Sequence, residues 1–219
     1  MRVMLATGNK DKVRELEALL AGTEVTAAPD GFDPEETGTT LVQNARIKAE
    51  ALRPDAPADA WVMADDSGLF VHALDGRPGF YSSRYAGPDA TYADNCNLLI
   101  EELGDSHQRG AAFGCVLYCI APDGAVLISA GVLPGEITRE ASGTDGFGYD
   151  PVFRPLSDDR TLAEMTRDEK AAISHRGRAA RGMARMLGIA AGADGDSHQG
   201  AQGDSHQRDE GDSHRGAAA

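Results

Sequence analysis

The chain has 219 residues, of which 41% are hydrophobic and 26% charged, and its formal net charge is −14 at pH 7. This charge argues against a nucleic-acid partner, which requires a basic surface, although lysines concentrated in a cleft could still bind a small anion. No apolar run reaches the ~18 residues of a membrane span, and the start of the chain is too short for a signal peptide. The three cysteines form no CxxC pair, so neither a disulfide framework nor a zinc site is indicated. We therefore expect a cytoplasmic protein without a membrane partner.

A strand and a helix are predicted at the start of the chain. Residues 2–6 form an apolar run that ends at the turn Thr7-Gly8-Asn9. Apolar residues at helical spacing follow, and Gly22 is a suitable stop.

A second helix is predicted from Thr39 or Thr40, either of which is a plausible N-cap, to about Arg53. Within it Asn44 and Lys48 are four residues apart, so they share a face.

Two adjacent carboxylates follow the next apolar run. Residues 61–64 predict a buried strand, and we expect Asp65-Asp66-Ser67-Gly68 to leave it in a tight turn. Unpaired carboxylates beside a core are costly, so such pairs usually bind a cation or act as acid and base. The alternative is an ordinary Asx-rich turn.

The remaining elements complete a mixed pattern. Residues 68–74 continue as strand and residues 91–103 form a helix. The runs 112–121 and 125–133 form a hairpin across Pro-Asp-Gly, and a capping box opens one last helix over 166–187. Helices that alternate with strands around an antiparallel hairpin predict an α/β fold with a mixed sheet.

The composition changes at the end of the chain. Residues 190–219 contain no apolar side chain larger than alanine, and Gly-Asp-Ser-His occurs at 195, 203 and 211 and again at 104. Such a segment cannot bury enough surface to offset its ordering entropy. We expect one domain over residues 1–188 with a surface-loop insert at about 104–110, and a disordered tail over 189–219. The alternative is that the Asp-x-His repeats bind a transition metal.

Polar residues gather at the ends of the predicted elements, where α/β folds build ligand sites. The turn into the first helix combines a glycine, backbone N–H groups and lysines, which suits an anion. Five such groups occur: residues 7–12, residues 35–38, the Asp65/Asp66 pair, residues 142–151, and Lys170 with residues 174–177.

Carboxylates from two of these groups suit a hard cation. Glu35 or Glu36 together with Asp65 and Asp66 would give an all-oxygen site of the kind that holds Mg²⁺ or Mn²⁺. The alternative for residues 35–38 is a solvated acidic loop.

The last two groups suit a flat ring that carries a keto group. Three glycines surround Phe147 and Tyr149, so an exposed aromatic there could stack on a base, or could instead plug the core. In a continuous last helix Lys170 lies on one face while His175 and Arg176 turn aside. Further arginines make that region a local basic strip, which favours an anion or a keto-bearing base.

These motifs resemble the inosine triphosphate pyrophosphatase family, in order from residue 1 to about residue 188. The insert at 104 and the tail lie outside the resemblance. The resemblance is carried by Leu5-Ala6-Thr7-Gly8-Asn9, Lys12-Val13-Arg14-Glu15-Leu16, Glu35-Glu36-Thr37-Gly38, Asn44-Ala45, Ala64-Asp65-Asp66-Ser67-Gly68-Leu69, Pro78-Gly79, Ser83-Arg84-Tyr85, Gly87, Gly146-Phe147-Gly148-Tyr149-Asp150-Pro151 and Ser174-His175-Arg176-Gly177.

The resemblance implies an elongated sheet in two lobes with the active-site cleft between them, and a homodimer. It makes Asp66 the general base and a Mg²⁺ ligand with Glu35 or Glu36, and leaves Asp65 to support the metal or the turn. The implied phosphate-binding residues are Thr7, Gly8, Asn9, Lys10, Asp11, Lys12 and Lys48. Ser67 would contact the substrate, and the base or sugar would be bound by Phe147, Gly148, Tyr149, Asp150, Lys170, His175 and Arg176.

The activity that follows is Mg²⁺-dependent hydrolysis of deaminated purine nucleoside triphosphates (dITP, ITP, XTP) to the monophosphate and pyrophosphate. Two alternatives stay open. One is a septum-inhibitor type of pyrophosphatase that acts on pyrimidine or modified nucleotides. The other is a nucleotide-binding protein without catalysis.

Overall fold

A seven-stranded sheet organises the computed structural model, which describes residues 1–189. The strand order is β2-β1-β3-β5-β6-β7, with β4 beside β3. Pairing is parallel between β1 and its two neighbours and antiparallel in the rest of the sheet. The predicted α/β class with a mixed sheet is confirmed. The strands are β1 (Arg2–Leu5), β2 (Glu24–Ala27), β3 (Trp61–Val71), β4 (Pro78–Gly79), β5 (Gly110–Ile120), β6 (Val126–Ile137) and β7 (Phe153–Pro155).

Helices flank this sheet, and each begins at a side-chain cap. Asn9, Thr40, Thr91, Thr166 and Ser174 accept hydrogen bonds from the first free N–H groups of their helices. The predicted helix starts are therefore correct for the first three helices, and the predicted capping box at Thr166 opens the fourth. The helices are α1 (Lys10–Leu19), α2 (Leu41–Leu52), α3 (Tyr92–Leu103), α4 (Arg167–Ile173) and α5 (His175–Leu187).

The long strands run through two lobes. The first lobe holds β1, β2, α1, α2, α5 and the start of β3, and its core lies on both faces of the sheet. The second lobe holds β4, α3, β7 and the end of β3 around a third core. One edge of β3 pairs with β1 as far as Met63 and with β4 from Leu69. Residues 64–68 lie between these two ladders, so a cleft opens there.

The expected turn at Asp65-Asp66-Ser67-Gly68 is wrong. These residues lie inside β3, which pairs with β5 through ten residue pairs from Val62↔Ile120 to Val71↔Ala111. A turn at these residues would break the β3–β5 hydrogen bonds. The strand can carry the carboxylates because buried cations pair with them.

The single last helix is also wrong. Ser174 has φ −63° and ψ 156°, which is extended backbone, so the chain breaks between α4 and α5. The Ser174 hydroxyl accepts from the N–H of Gly177 at 3.0 Å and starts α5 afresh. A Cβ on Gly177 would lie 2.0 Å from the carbonyl oxygen of Ala171, so glycine is what permits the close turn.

Some expectations concern segments away from the cleft. The Gly-Asp-Ser-His copy at 104–107 lies in an exposed loop, which Arg109 closes by donating to the carbonyls of Gly104, Ile137 and Thr138. The strands β2, β4 and β7 are short, and sequence patterning did not predict them. None of the helices in residues 1–189 has the length and apolar character needed to cross a bilayer. Of the predicted tail, residues 190–219 lie outside the described residues, whereas Ile189 packs against the core of the first lobe.

Candidate active site

The cleft between the lobes, with the open solvent at its mouth, spans about 760 Å³ and brings most of the predicted site residues together. Six predicted residues do not line it: Thr7, Gly8, Lys10, Asp11, Glu35 and Asp65. The predicted residues that do line it are Asn9, Lys12, Glu36, Lys48, Asp66, Ser67, Phe147, Gly148, Tyr149, Asp150, Lys170, His175 and Arg176.

The two adjacent aspartates face opposite sides of the sheet, because side chains alternate along a strand. Asp65 lies on the side of α1 and α5, fully buried, 2.5 Å from Lys12 Nζ and 2.8 Å from Arg176 Nε. The thiol of Cys115 also donates to its Oδ2 at 3.2 Å. Burial alone would raise the pKa of Asp65, but Arg176 and Lys12 hold it well below the usual range.

The structure therefore does not place Asp65 in the expected carboxylate cluster. Its oxygens are held by two cations on the face away from Glu36 and Asp66. We assign it instead to holding Lys12 and Arg176 in position. The resemblance gave the two aspartates different roles. The structure gives a geometric reason for a difference, because alternation along β3 places their side chains on opposite faces of the sheet.

Asp66 lies on the side of α2 and is partnered by a lysine. Lys48 Nζ is 2.6 Å from Asp66 Oδ1 and 3.0 Å from Glu36 Oε1. Burial raises the pKa of Asp66 above its usual value, against the opposing effect of Lys48. Burial would lower the pKa of Lys48, but Asp66 and Glu36 raise it, so this amine stays charged.

The donor set around Asp66 fits a hard cation only in part. Within residues 1–189 no three His, Cys, Asp or Glu side chains cluster as a metal site. Glu36 and Asp66 nevertheless both contact one positive group, the Lys48 ammonium. Glu35 is exposed and lies outside this pair of carboxylates. Mg²⁺ is usually held by one or two carboxylates with substrate phosphates and water, so these two side chains suit it.

The turn before α1 forms another wall of the cleft. The side chain of Asn9 accepts from the N–H groups of Asp11 and Lys12 at 2.9 and 3.2 Å. The Thr7 hydroxyl accepts from the N–H of Asn9 at 3.1 Å, so Thr7 shapes the turn from behind. Lys10 is exposed and points away from the cleft lining, whereas Lys12 reaches into it.

The loop with Phe147 is built on Asp150. The Asp150 carboxylate accepts from the N–H of Phe147 at 2.7 Å and lies 2.6 Å from Lys170 Nζ. Gly146 and Gly148 have φ values of 76° and 64°, which favour glycine. Tyr149 is buried and donates to the carbonyl of Ser82 at 2.9 Å, so it anchors the loop. Of the two roles considered for an aromatic residue of this loop, packing into the core applies to Tyr149, whereas Phe147 faces the cleft.

Two cations lie against the Phe147 ring, and a glutamate pairs with both of them. Lys170 Nζ is 4.7 Å and the Arg176 guanidinium carbon 5.5 Å from its centroid. Glu15 of α1 joins these cations, 2.6 Å from Lys170 Nζ and 2.5 Å from Arg176 Nη1. Burial alone would raise the pKa of Glu15, but Arg176 and Lys170 lower it. Sequence reasoning missed Glu15, although it lies one helical turn after Lys12.

His175 carries the one buried side-chain polar atom in residues 1–189 without a hydrogen-bond partner, its Nδ1. The ring stacks on Phe113 with centroids 4.6 Å apart and planes within 8°. Burial, with Arg176 beside it, holds the pKa of His175 well below its usual value, so the ring is neutral. A neutral imidazole can donate from one nitrogen and accept at the other.

The break at Ser174 explains why His175 and Arg176 line the cleft. The continuous helix that the sequence suggested would have turned both side chains aside, and that expectation is wrong. Because α5 starts anew at His175, its first residues point to the cleft together with Lys170 of α4. Arg176 also donates to the Ser67 hydroxyl at 3.1 Å.

The second lobe contributes a wall whose residues were not among the predicted site residues, although one of them, Ser83, lies in a motif of the resemblance. Its members have aromatic or hydroxyl side chains and come from short turns, from α3 and from β5. They are Phe80, Ser82, Ser83, Tyr92 and Phe113.

Carboxylates and lysines at one end of a cleft, with an aromatic ring and buried donors at the other, define a class of protein. This combination is typical of an α/β enzyme that binds a nucleotide and acts on its phosphates.

The chain belongs to the Ham1 family, whose model matches residues 3–186. A protein named dITP/XTP pyrophosphatase from Shigella flexneri is 50% identical over 186 residues, covering 81% of this chain and 93% of the relative. The protein of that name from Escherichia coli K12 gives the same identity and coverage. The solved structure of the Staphylococcus aureus Ham1 protein has a TM-score of 0.76 at 36% identity, covering 86% of this chain and 98% of its own. The resemblance inferred from the motifs is confirmed.

Proposed function

We propose that this chain hydrolyses deaminated purine nucleoside triphosphates (dITP, XTP and ITP) to the monophosphate and pyrophosphate. The observation that carries the proposal is one cleft lined at one end by a buried carboxylate beside a lysine, and at the other by Phe147 and by a neutral imidazole, that of His175, whose Nδ1 has no hydrogen-bond partner. The names of the Shigella and Escherichia relatives support the same reaction.

Asp66 is the group best suited to activate water. Its raised pKa makes it a stronger base than an ordinary aspartate, and its carboxylate lines the cleft beside Lys48. In the proposed reaction it takes a proton from water as the oxygen attacks the α-phosphorus. The bond from that phosphorus to the bridging oxygen breaks, and pyrophosphate leaves with the electron pair. Lys12 and Lys48 stabilise the charge that develops on the phosphates.

The charge balance of the cleft supports a divalent cation. Four cations (Lys12, Lys48, Lys170 and Arg176) meet five carboxylates (Glu15, Glu36, Asp65, Asp66 and Asp150), a balance of −1 when all are charged. The negative charge of a triphosphate would be repelled by the net negative charge of this site unless a bound cation offset it. We propose Mg²⁺, held by Glu36 and Asp66, with Mn²⁺ as a substitute. When bound, the ion supplies charge neutralisation at the phosphates.

Base selection follows from the donors at the other end of the cleft. Lys170 and Arg176 carry only donors, and the neutral His175 can add one more, which suits the keto oxygen of a deaminated purine. A 6-amino group would leave such donors unpaired, at roughly 1–3 kcal/mol for each group.

Incubation with dITP and Mg²⁺ should release pyrophosphate as the first product, and kcat/KM for dITP, ITP and XTP should exceed that for ATP by about 10–100-fold. Product chromatography and a panel of triphosphates, with and without Mg²⁺, measure both. Orthophosphate as the first product would contradict the reaction. A preference for pyrimidine or modified nucleotides would favour the septum-inhibitor alternative. Tight calorimetric binding without turnover would favour a non-catalytic protein.

We propose a homodimer, supported by the outer face of β6. Val126, Ile128 and Val132 are 45–55% exposed there, and together they make an apolar row on the face opposite α5. Replacing Ile128 with glutamate should give a monomer in light scattering coupled to size-exclusion chromatography. Met186→Glu, a change at an exposed methionine of α5, is the matched control and should leave the mass unchanged. A monomeric wild type, or a dimer that survives Ile128→Glu, would contradict the assignment of this face.

Deletion of residues 190–219 should leave kcat and KM unchanged. Among residues 1–189, those that line the cleft all fall within positions 9–176. The comparison of truncated and full-length chains with dITP measures this. A large loss of activity would instead give the histidine-bearing repeats a functional role. We also propose a cytoplasmic location, which the three free buried thiols support.

A further inference from the structure

Tyr92 lies across the cleft between its two ends. It is the first residue of α3, in the second lobe, and 41% of it is exposed. Its hydroxyl accepts from Asn9 Nδ2 and donates to Asp11 Oδ2, both at 3.3 Å. Its ring lies 5.9 Å from that of Phe147, with 44° between the planes. One side chain thus touches the turn before α1 and the aromatic ring of the opposite end.

The fold holds Tyr92 in this place. The start of α3 is fixed by a capping box in which Thr91 and Asp94 bond each other's backbone N–H. The thiol of Cys96, one turn further along α3, donates to the carbonyl of Gly148 at 3.3 Å. The helix that carries Tyr92 is therefore tied to the loop that carries Phe147.

A nucleotide in this cleft must pass Tyr92. If its base lies on Phe147 and its phosphates lie near Asn9 and Lys12, as the proposed function requires, the part that crosses Tyr92 is the sugar. We propose that Tyr92 is a substrate-binding residue that packs its ring against the sugar and the adjoining edge of the base. This inference rests on the proposed function and adds to it the group that recognises the middle of the substrate.

The contacts of Tyr92 suit a side chain that adjusts to a ligand. Both hydroxyl bonds are longer than usual, since N–H donors lie about 2.7–3.2 Å and O–H donors about 2.5–3.0 Å from oxygen, so little is lost when they shift. The exposed part of the ring becomes buried when a nucleoside lies against it, which is favourable for an apolar surface. A contact of this kind is present before and during the reaction, so it should affect KM more than kcat.

Three variants test the proposal with dITP as substrate. Tyr92→Ala should raise KM about tenfold and change kcat less than about twofold, as expected for a lost aromatic contact. Tyr92→Phe keeps the ring and should raise KM no more than about threefold. Tyr81→Ala removes an exposed tyrosine of the same lobe that does not line the cleft, and it should change neither constant.

Inorganic tripolyphosphate separates contact with the nucleoside from an effect on the phosphate site. Its inhibition constant should be the same in Tyr92→Ala as in wild type, because it has neither sugar nor base. An unchanged KM in Tyr92→Ala would overturn the proposal. So would a parallel loss of kcat and of tripolyphosphate affinity, which would mean that Tyr92 only positions the turn at Asn9. If the wild-type chain shows no turnover, the proposed function fails, and calorimetric Kd values for dITP replace KM in the same comparison.

Discussion

Replacing Asp66 with asparagine should lower kcat for dITP hydrolysis by roughly 10²–10⁴-fold, the usual contribution of a general base. Asparagine keeps the shape of the side chain but cannot take a proton from water. Lys48 loses its partner at 2.6 Å yet keeps Glu36 at 3.0 Å, so the cleft should still bind nucleotide. Steady-state pyrophosphate release measures the loss, and calorimetry with dITP measures the retained binding.

Asp89→Asn is the matched control, because it makes the same change at an exposed carboxylate of the second lobe. It should leave both measurements unchanged. An Asp66→Asn enzyme that remains active would mean that the base lies elsewhere. Loss of nucleotide binding along with turnover would assign Asp66 to cation binding alone.

Replacing Asp65 with asparagine should lower the free energy of unfolding by about 3 kcal/mol at pH 7, since it leaves buried cations short of one anion. Asp65 is fully buried against Lys12 and Arg176, and only Arg176 keeps another carboxylate, Glu15. The native pKa of Asp65 is depressed, so its contribution is present above the unfolded-state pKa and is lost as the pH falls through the native value. Urea unfolding at several pH values measures this contribution. The difference in the free energy of unfolding between wild type and Asp65→Asn should be constant near neutral pH and should decrease in acid.

This measurement also decides what Asp65 does. Asp89→Asn is again the control and should change the free energy of unfolding by less than about 0.5 kcal/mol. An Asp65→Asn protein as stable as wild type, with weakened Mg²⁺ binding, would restore the metal role that the sequence suggested. A large loss of stability would make Asp65 a structural partner of the two cations.

Features that depend on neighbouring residues could be predicted from the sequence. Thr40 and Thr91 mark helix starts because each satisfies N–H groups two or three residues away. The hairpin of β5 and β6 follows from its Pro-Asp-Gly turn. Most of the polar groups converge because they lie at the ends of elements in an α/β fold, where ligand sites form, whereas the Asp65/Asp66 pair lies inside β3.

Features that depend on distant partners could not be predicted in this way. The strand through Asp65 and Asp66 exists because β5, about fifty residues away, pairs with it. Tyr92 and Phe113 carry no local signal for a cleft, since another lobe brings them to it. The break before α5 is an intermediate case. Ser174 followed by Gly177 is a capping arrangement that a search for a second helix start could have found.

The alternation of β3 has a consequence for which changes in chain length the protein can accept. Inserting or deleting one residue before Asp65 would exchange the sides on which the two aspartates lie, because a shift of one position turns every side chain of a strand over. An insertion would bring Asp65 opposite Lys48 and leave the buried cations of α1 and α5 without the carboxylate that they now contact, whereas a deletion would bring Ser67 opposite Lys48. The exposed loop at 104–109 lies far from this constraint and can change in length, as its extra copy of the tail repeat illustrates. Among descendants of this chain, β3 should therefore vary in residue type at its apolar positions but never in number of residues.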